Sequence, residues 1–161
     1  MKNLQDLFEH QLKDLYSAES QLIKAMPKMQ KKAKDEKLKQ ALEKHLEETK
    51  EQKNRLKEVC SDLGIKPTGE ECKAMKGLIE EAESFLKEKA DDDVMDAGII
   101  AEAQRIEHYE ISGYGTAVRY AQELGHKDIA KKLKLTLDEE WKTDQDLNKM
   151  AEGRLNREAK K

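Results

Sequence analysis

Apolar residues along this chain recur every three or four positions, in stretches too long for strands and with the spacing of one buried helix face. From Leu4 to about Ala33 that face reads Leu4, Phe8, Gln11, Leu15, Glu19, Leu22, Met26 and Met29. Pro27 lies inside the stretch and predicts a kink or a local break, because its ring removes a backbone donor. After a short turn near Asp35, a second helix carries Leu38, Leu42, His45, Glu48 or Thr49, Gln52, Leu56 and Val59, and stops before Gly64. "GIKPTGE" (Gly64 to Glu70) is the clearest loop. A shorter helix over Glu71 to Lys89 turns Met75, Leu78, Ile79, Ala82 and Phe85 inward. The acidic "ADDDVMD" ends it and offers Asp92 or Asp93 as the N-cap of a fourth helix. The fourth helix places Ala97, Ile100, Ala103, Glu107, Glu110, Tyr114, Ala117, Ala121 and Leu124 on one side and ends at Gly125. The last begins after His126, with Ile129, Leu133, Leu137, Glu140, Asp144, Leu147 and Ala151 in register, and the tail "REAKK" is expected to fray.

Four long helices and a short one predict an all-α four-helix bundle in which the third helix is a crossover. The length, 161 residues, suits one domain with a single core over residues 1–161. Charged residues make up 40% of the chain and aromatics only 4%, a balance that fits long solvated helices and excludes a sandwich or barrel. The 31 basic and 34 acidic residues nearly cancel, so no nucleic-acid partner is expected. The densest basic run, "KMQKKAK" (Lys28 to Lys34), ends a helix and complements its dipole. No stretch has the apolar length of a membrane span, and "MKNLQDLFEHQL" lacks the features of a signal peptide. The expected setting is therefore cytoplasmic, without a membrane partner. Cys60 and Cys72 are too few and too far apart for a zinc knuckle or a redox pair, and read as reduced thiols beside a loop.

One departure from apolar patterning repeats. In "RIEHYEISGYG", Glu107 and Glu110 stand where the stripe calls for leucine. Each of the other long helices also carries an acid on its apolar face near its midpoint: Glu19, Glu48, and Glu140 with Asp144. In a bundle of similar antiparallel helices these midpoints meet at one level. An acid falls on a stripe edge by chance in a chain with 34 acidic residues, but matching depth on four helices is a stronger pattern. Burying such a set uncompensated costs several kcal/mol per ion. The stripes offer no lysine or arginine at that level, and His45 is the one nearby potential cation. A dinuclear centre of hard divalent ions would neutralise the cluster. His108 projects about 100° away from Glu107 and reads as flank. His10 and His126 lie near helix ends, and Met26, Met29 and Met75 read as core. Tyr16 and Tyr114 lie within a turn of Glu19 and Glu110, where they can either bond the cluster or simply pack.

"LKDLYSAESQLIKAMPKM", "HLEET", "AMKGLIEEAE", "IIAEAQRIEHYEISGYGTA" and "TLDEEWKTD" together resemble the YciF/YciE stress-protein family, in order and over nearly the whole chain. That resemblance implies a ferritin-like four-helix bundle, a dinuclear iron-type site, with manganese as the other candidate metal, and a homodimer. Ferritin-like di-iron proteins take a Glu from each of two helices and a Glu-x-x-His from each of the other two. By position, Glu19 and Glu107 match the single glutamates, and Glu48 and Glu140 the motif glutamates. The histidines do not carry over, since Glu51 and Thr143 stand in their places. Glu110, Asp144 and His45 are the residues available to complete the ligand set. The resemblance further implies chemistry on a small oxidant, oxygen or peroxide. The rival expectation is a non-enzymatic helical dimer that serves as a structural, metal-sequestering or interaction module.

Overall fold

A computed structural model describes residues 1–160, and all of its regular elements are helical. The helices are α1 (Leu4–Lys32), α2 (Glu36–Asp62), α3 (Lys73–Phe85), α4 (Asp92–Glu123) and α5 (Lys127–Met150). A π-helical turn over Ala151–Leu155 and a last turn, α6 (Asn156–Glu158), continue α5. The ends follow local chemistry. Asn3 and Asp35 cap α1 and α2 by accepting bonds from Asp6 N and Leu38 N. Gly64 and Gly125 adopt left-handed φ of 69° and 79°, and the next amide bonds back five residues, Ile65 to Cys60 and His126 to Ala121. This is the closing pattern that glycine permits after a helix.

The local expectations fare unevenly. Of the kink or break expected at Pro27, the break is not found, and the helix runs on to Lys32. The N-cap position of α4 is held by Asp91, without a side-chain bond, while Asp92 and Asp93 lie in the first turn against the positive end of the helix dipole. Of the tail "REAKK", Arg157 and Glu158 are helical, and Leu155 just before it is buried; Lys161 lies outside the described residues.

The topology is the expected ferritin-like bundle. α1 neighbours α2 and α4, and α5 neighbours α4 and α2, so the helices form a four-cornered ring. Every adjacent pair is antiparallel, whereas α2 and α4 occupy diagonal corners and run the same way. α3 makes that return possible by climbing the outside of the bundle over α1 and α4. Cys72 docks its start: the Cys72 amide donates to Ser17 Oγ, Gln21 Nε2 donates to Cys72 O, and Tyr109 Oη lies 2.9 Å from the sulfur. At the far end, buried Asp96 accepts the amides of Lys34 and Asp35, both at 2.7 Å, and ties the α1–α2 turn to α4. Two satisfied amides compensate a charge that would otherwise be costly to bury.

The apolar interior falls into separate clusters. One, around Phe8, Leu12, Leu15, Leu56, Ala117 and Leu133, fills the end where α1 begins. Another, around Met29, Leu38, Leu42, Ile99, Ile100 and Leu147, fills the opposite end. A third joins α3 to the bundle through Leu22, Met26, Met75 and Ile106. The Phe85 ring lies directly on Gly98, where an added Cβ would sit 1.9 Å from a ring carbon. Gly98→Ala should therefore destabilise the protein by about 1–3 kcal/mol, the usual penalty for overpacking, measured by denaturant unfolding.

Candidate metal centre

Between the two end clusters the core turns polar. Glu19 from α1, His45 from α2, Glu107 and Glu110 from α4 and Glu140 from α5 are all buried, none more than 4% exposed. On α1 and α4 the inward residues a turn or two away are mostly leucine, isoleucine, alanine or tyrosine, whereas buried Thr49 and Gln52 follow His45 on α2 and buried Thr136 precedes Glu140 on α5. His45, Glu107, Glu110 and Glu140 each place one ligand atom within 4.8 Å of the others. Glu19 adjoins this quartet through Glu110. His45 Nε2 is 2.9 Å from Glu107 Oε1, though neither ring nitrogen is aligned for a hydrogen bond.

Unpaired polar atoms mark the layer. Among the described residues, every buried side-chain oxygen or nitrogen without a hydrogen-bond partner belongs to Glu19, His45, Gln52, Glu107, Glu110 or Glu140. Both oxygens of Glu110 and of Glu140 are in this condition. Folded proteins rarely leave such atoms unpaired, and here they concentrate at one level of the bundle. Glu19 differs in having one oxygen engaged: the Tyr114 hydroxyl donates to its Oε1, which leaves Oε2 free.

The remaining expected ligands lie at the edge. Glu48 is 26% exposed and its carboxylate is 2.6 Å from Lys44 Nζ, so it stands on the rim and not in the layer. One residue of helix rotates a side chain by about 100°, and Thr49 takes the inward position, with its hydroxyl donating to His45 O. Asp144 is 13% exposed, accepts from Gln104 Nε2 and lies 3.3 Å from His108 Nε2. His108 itself is largely exposed, as its phase along the helix suggests. Thr143 stands at the layer's edge and Glu51 faces solvent, so neither replaces the histidines of the ferritin-like pattern. Tyr16 packs beneath Lys53, away from the acids.

Gln52 was part of the α2 stripe but carried no signal beyond its position. In the fold it is buried, and its amide donates to Glu139, which also receives both terminal nitrogens of Arg55. Arg55 is thus committed to Glu139 and the Thr136 hydroxyl, and the acids keep His45 as their one basic neighbour within the layer. Both cysteines are buried free thiols, as read; burial pushes Cys60 up to about 11.

Electrostatics follow from the packing. Burial raises Glu19 to about 8, with the Glu140 charge adding to it and the Tyr114 bond opposing it. Burial likewise raises Glu107 to about 8, and it raises Glu110 and Glu140 well above the ordinary carboxylate range. The metal-free fold therefore binds more protons than the unfolded chain, whose glutamates titrate near 4.5. Stability from this source is complete below that value and is lost as pH rises through about 8. Thermal melts of chelator-treated protein should accordingly fall in midpoint between pH 5 and 9, and a divalent ion that binds the layer should flatten the decline. A midpoint that rises with pH across this window would contradict the protonated layer.

A scan against family models matches residues 3–160 to a family described as "Domain of unknown function (DUF892)". Protein YciF of Escherichia coli strain K12 is 44% identical over 160 residues, covering 99% of this chain and 96% of its own. The crystal structure of that protein, described as a stress protein, superposes with a TM-score of 0.93 over 97% of this chain and 99% of its own. YcfI of Rhodopseudomonas palustris, provisionally described as structural, is 47% identical, with a TM-score of 0.89 over 92% of this chain and 94% of its own. With the bundle topology, the extent of the match and the level of identity all in agreement, the chain belongs to the DUF892 family, alongside the stress protein YciF.

Proposed function

We propose that this protein is a stress-associated, cytoplasmic metal protein that binds two divalent ions, iron or manganese, within the buried carboxylate layer. The carrying observation is that, apart from Gln52 Oε1, the described residues' unpaired buried polar atoms all belong to that layer. The donor set fits: His45, Glu107, Glu110 and Glu140 converge closely enough to share an ion, and Glu19 keeps Oε2 free for another. Four ionised glutamates carry the charge that two divalent ions would neutralise. Oxygen-rich ligands with a single imidazole suit iron(II) or manganese(II) better than softer metals.

In this reading Glu19, His45, Glu107, Glu110 and Glu140 are the residues that would hold the ions. Tyr114 holds Glu19 in a single orientation, and the end clusters exclude water. Asp144, held by Gln104 and near His108, stands one layer outward, where it can carry protons between the site and solvent. Bound redox metals would supply electrons for reducing an oxygen–oxygen bond, which makes oxygen or peroxide the substrate class. A homodimer belongs to the same reading, and exposed Leu135 and Trp141 on α5 give a second copy apolar surface to contact.

Metal analysis tests the central claim. Protein purified without chelator should carry iron or manganese near two ions per chain, and a Glu107→Ala, Glu140→Ala variant should lose most of it. Absence of metal in the parent, with the variant at least as stable, would leave the structural or interaction module as the better reading, in line with the description of the Rhodopseudomonas relative. Consumption of hydrogen peroxide by the loaded protein, lost in the variant, separates a catalyst from a store.

A further inference from the structure

The carboxylate layer is sealed by apolar clusters along the bundle axis, and α3 covers the α1–α4 side. On the side formed by α2, α4 and α5, a cavity of about 40 Å³ reaches it. His45 and Glu107 form its inner wall, both more than nine-tenths buried and both with unpartnered polar atoms. Its volume holds about three waters. The cavity exists because its sides are short: Ala41 lines it from α2, and Thr143 from α5. Glu48 and Asp146 stand at its outer end.

We propose that this cavity is the port through which divalent cations reach the layer, with Glu48 and Asp146 as an acidic mouth and Ala41 setting its width. The proposal rests on the metal-binding reading above and adds a route to it. Charge supports a cation. Glu48 and Asp146 are each held by one lysine, Lys44 at 2.6 Å and Lys149 at 3.4 Å, so neither acid is locked into the core. Each lysine lies along the acid's own helix and is mostly exposed, so it can swing aside without disturbing the packing. Exposed pairs of this kind are worth little, and an approaching divalent ion displaces them readily. An arriving ion would exchange Glu48 and Asp146 for His45 and Glu107 across one short step, keeping oxygen or nitrogen contacts throughout. Small size matters as well: three waters leave room for a partly dehydrated ion and exclude an organic ligand.

Cobalt(II) uptake by the metal-free full chain, followed by stopped-flow visible absorbance, tests the port. Ala41→Leu, which fills the gap from a partly exposed position, should slow uptake by about tenfold or more at every salt concentration while the final cobalt stoichiometry stays at the parent value. Asp146→Asn should slow uptake by several-fold at low salt and converge with the parent at high salt, since steering by a charged mouth is screened. Parental rates in both variants would overturn the port while leaving the metal site standing. A parent that takes up no cobalt at equilibrium would overturn the metal reading, and the port with it.

Discussion

Four glutamates, Glu19, Glu107, Glu110 and Glu140, meet at one level of a core that is otherwise mostly apolar. This constraint governs the rest of the structure. Each acid is committed to burial by its own helix, because moving it to solvent would rotate the flanking apolar residues out with it. The fold cannot relieve the acids through sequence-local pairing, as it does for the surface glutamates matched with lysines one turn away. It shares protons among them, or it supplies an external cation. A chain that needed only stability would gain by replacing such a cluster with apolar side chains of similar size.

The topology is what turns four separate acids into one layer. A crossover between diagonal corners makes every neighbouring pair antiparallel, so residues near helix midpoints stay level despite differences in helix length. The crossover itself is secured by polar contacts: Cys72 at its start, and Asp96 where α4 meets the α1–α2 turn. These contacts sit away from the layer and fix the vertical offset of α4 against α1. A slip of one turn, about 5.4 Å, would carry Glu107 out of reach of Glu140 and His45.

Periodicity made much of this legible. Helix extents, the Gly64 and Gly125 endings and the presence of Glu19, His45, Glu107, Glu110 and Glu140 on inward stripes are all properties of single helices. Glu48 shows the resolution limit of such reasoning, since neighbouring positions differ by about 100° and a stripe edge admits either Glu48 or Thr49. The roles of Cys72 and Asp96 were not legible, because their partners lie 37 or more residues away and leave no periodic trace. At the end of the chain Leu155 continues the four-residue spacing of Leu147 and Ala151 into the core, whereas the π turn that carries it left no trace in the apolar pattern.

The crossover helix also makes the bundle unequal in thickness. Behind Glu19 stand α1 and then α3, which packs on α4 as well, whereas α3 has no comparable packing on α2, the helix that carries His45. Polarisability and access to water are thus graded across the layer, from a doubly walled side to a singly walled one. The one imidazole of the layer thus lies on the α2 side, while the α1 side offers a carboxylate and a phenol. A crossover packed on α1 and α4 leaves the layer with two chemically unlike sides.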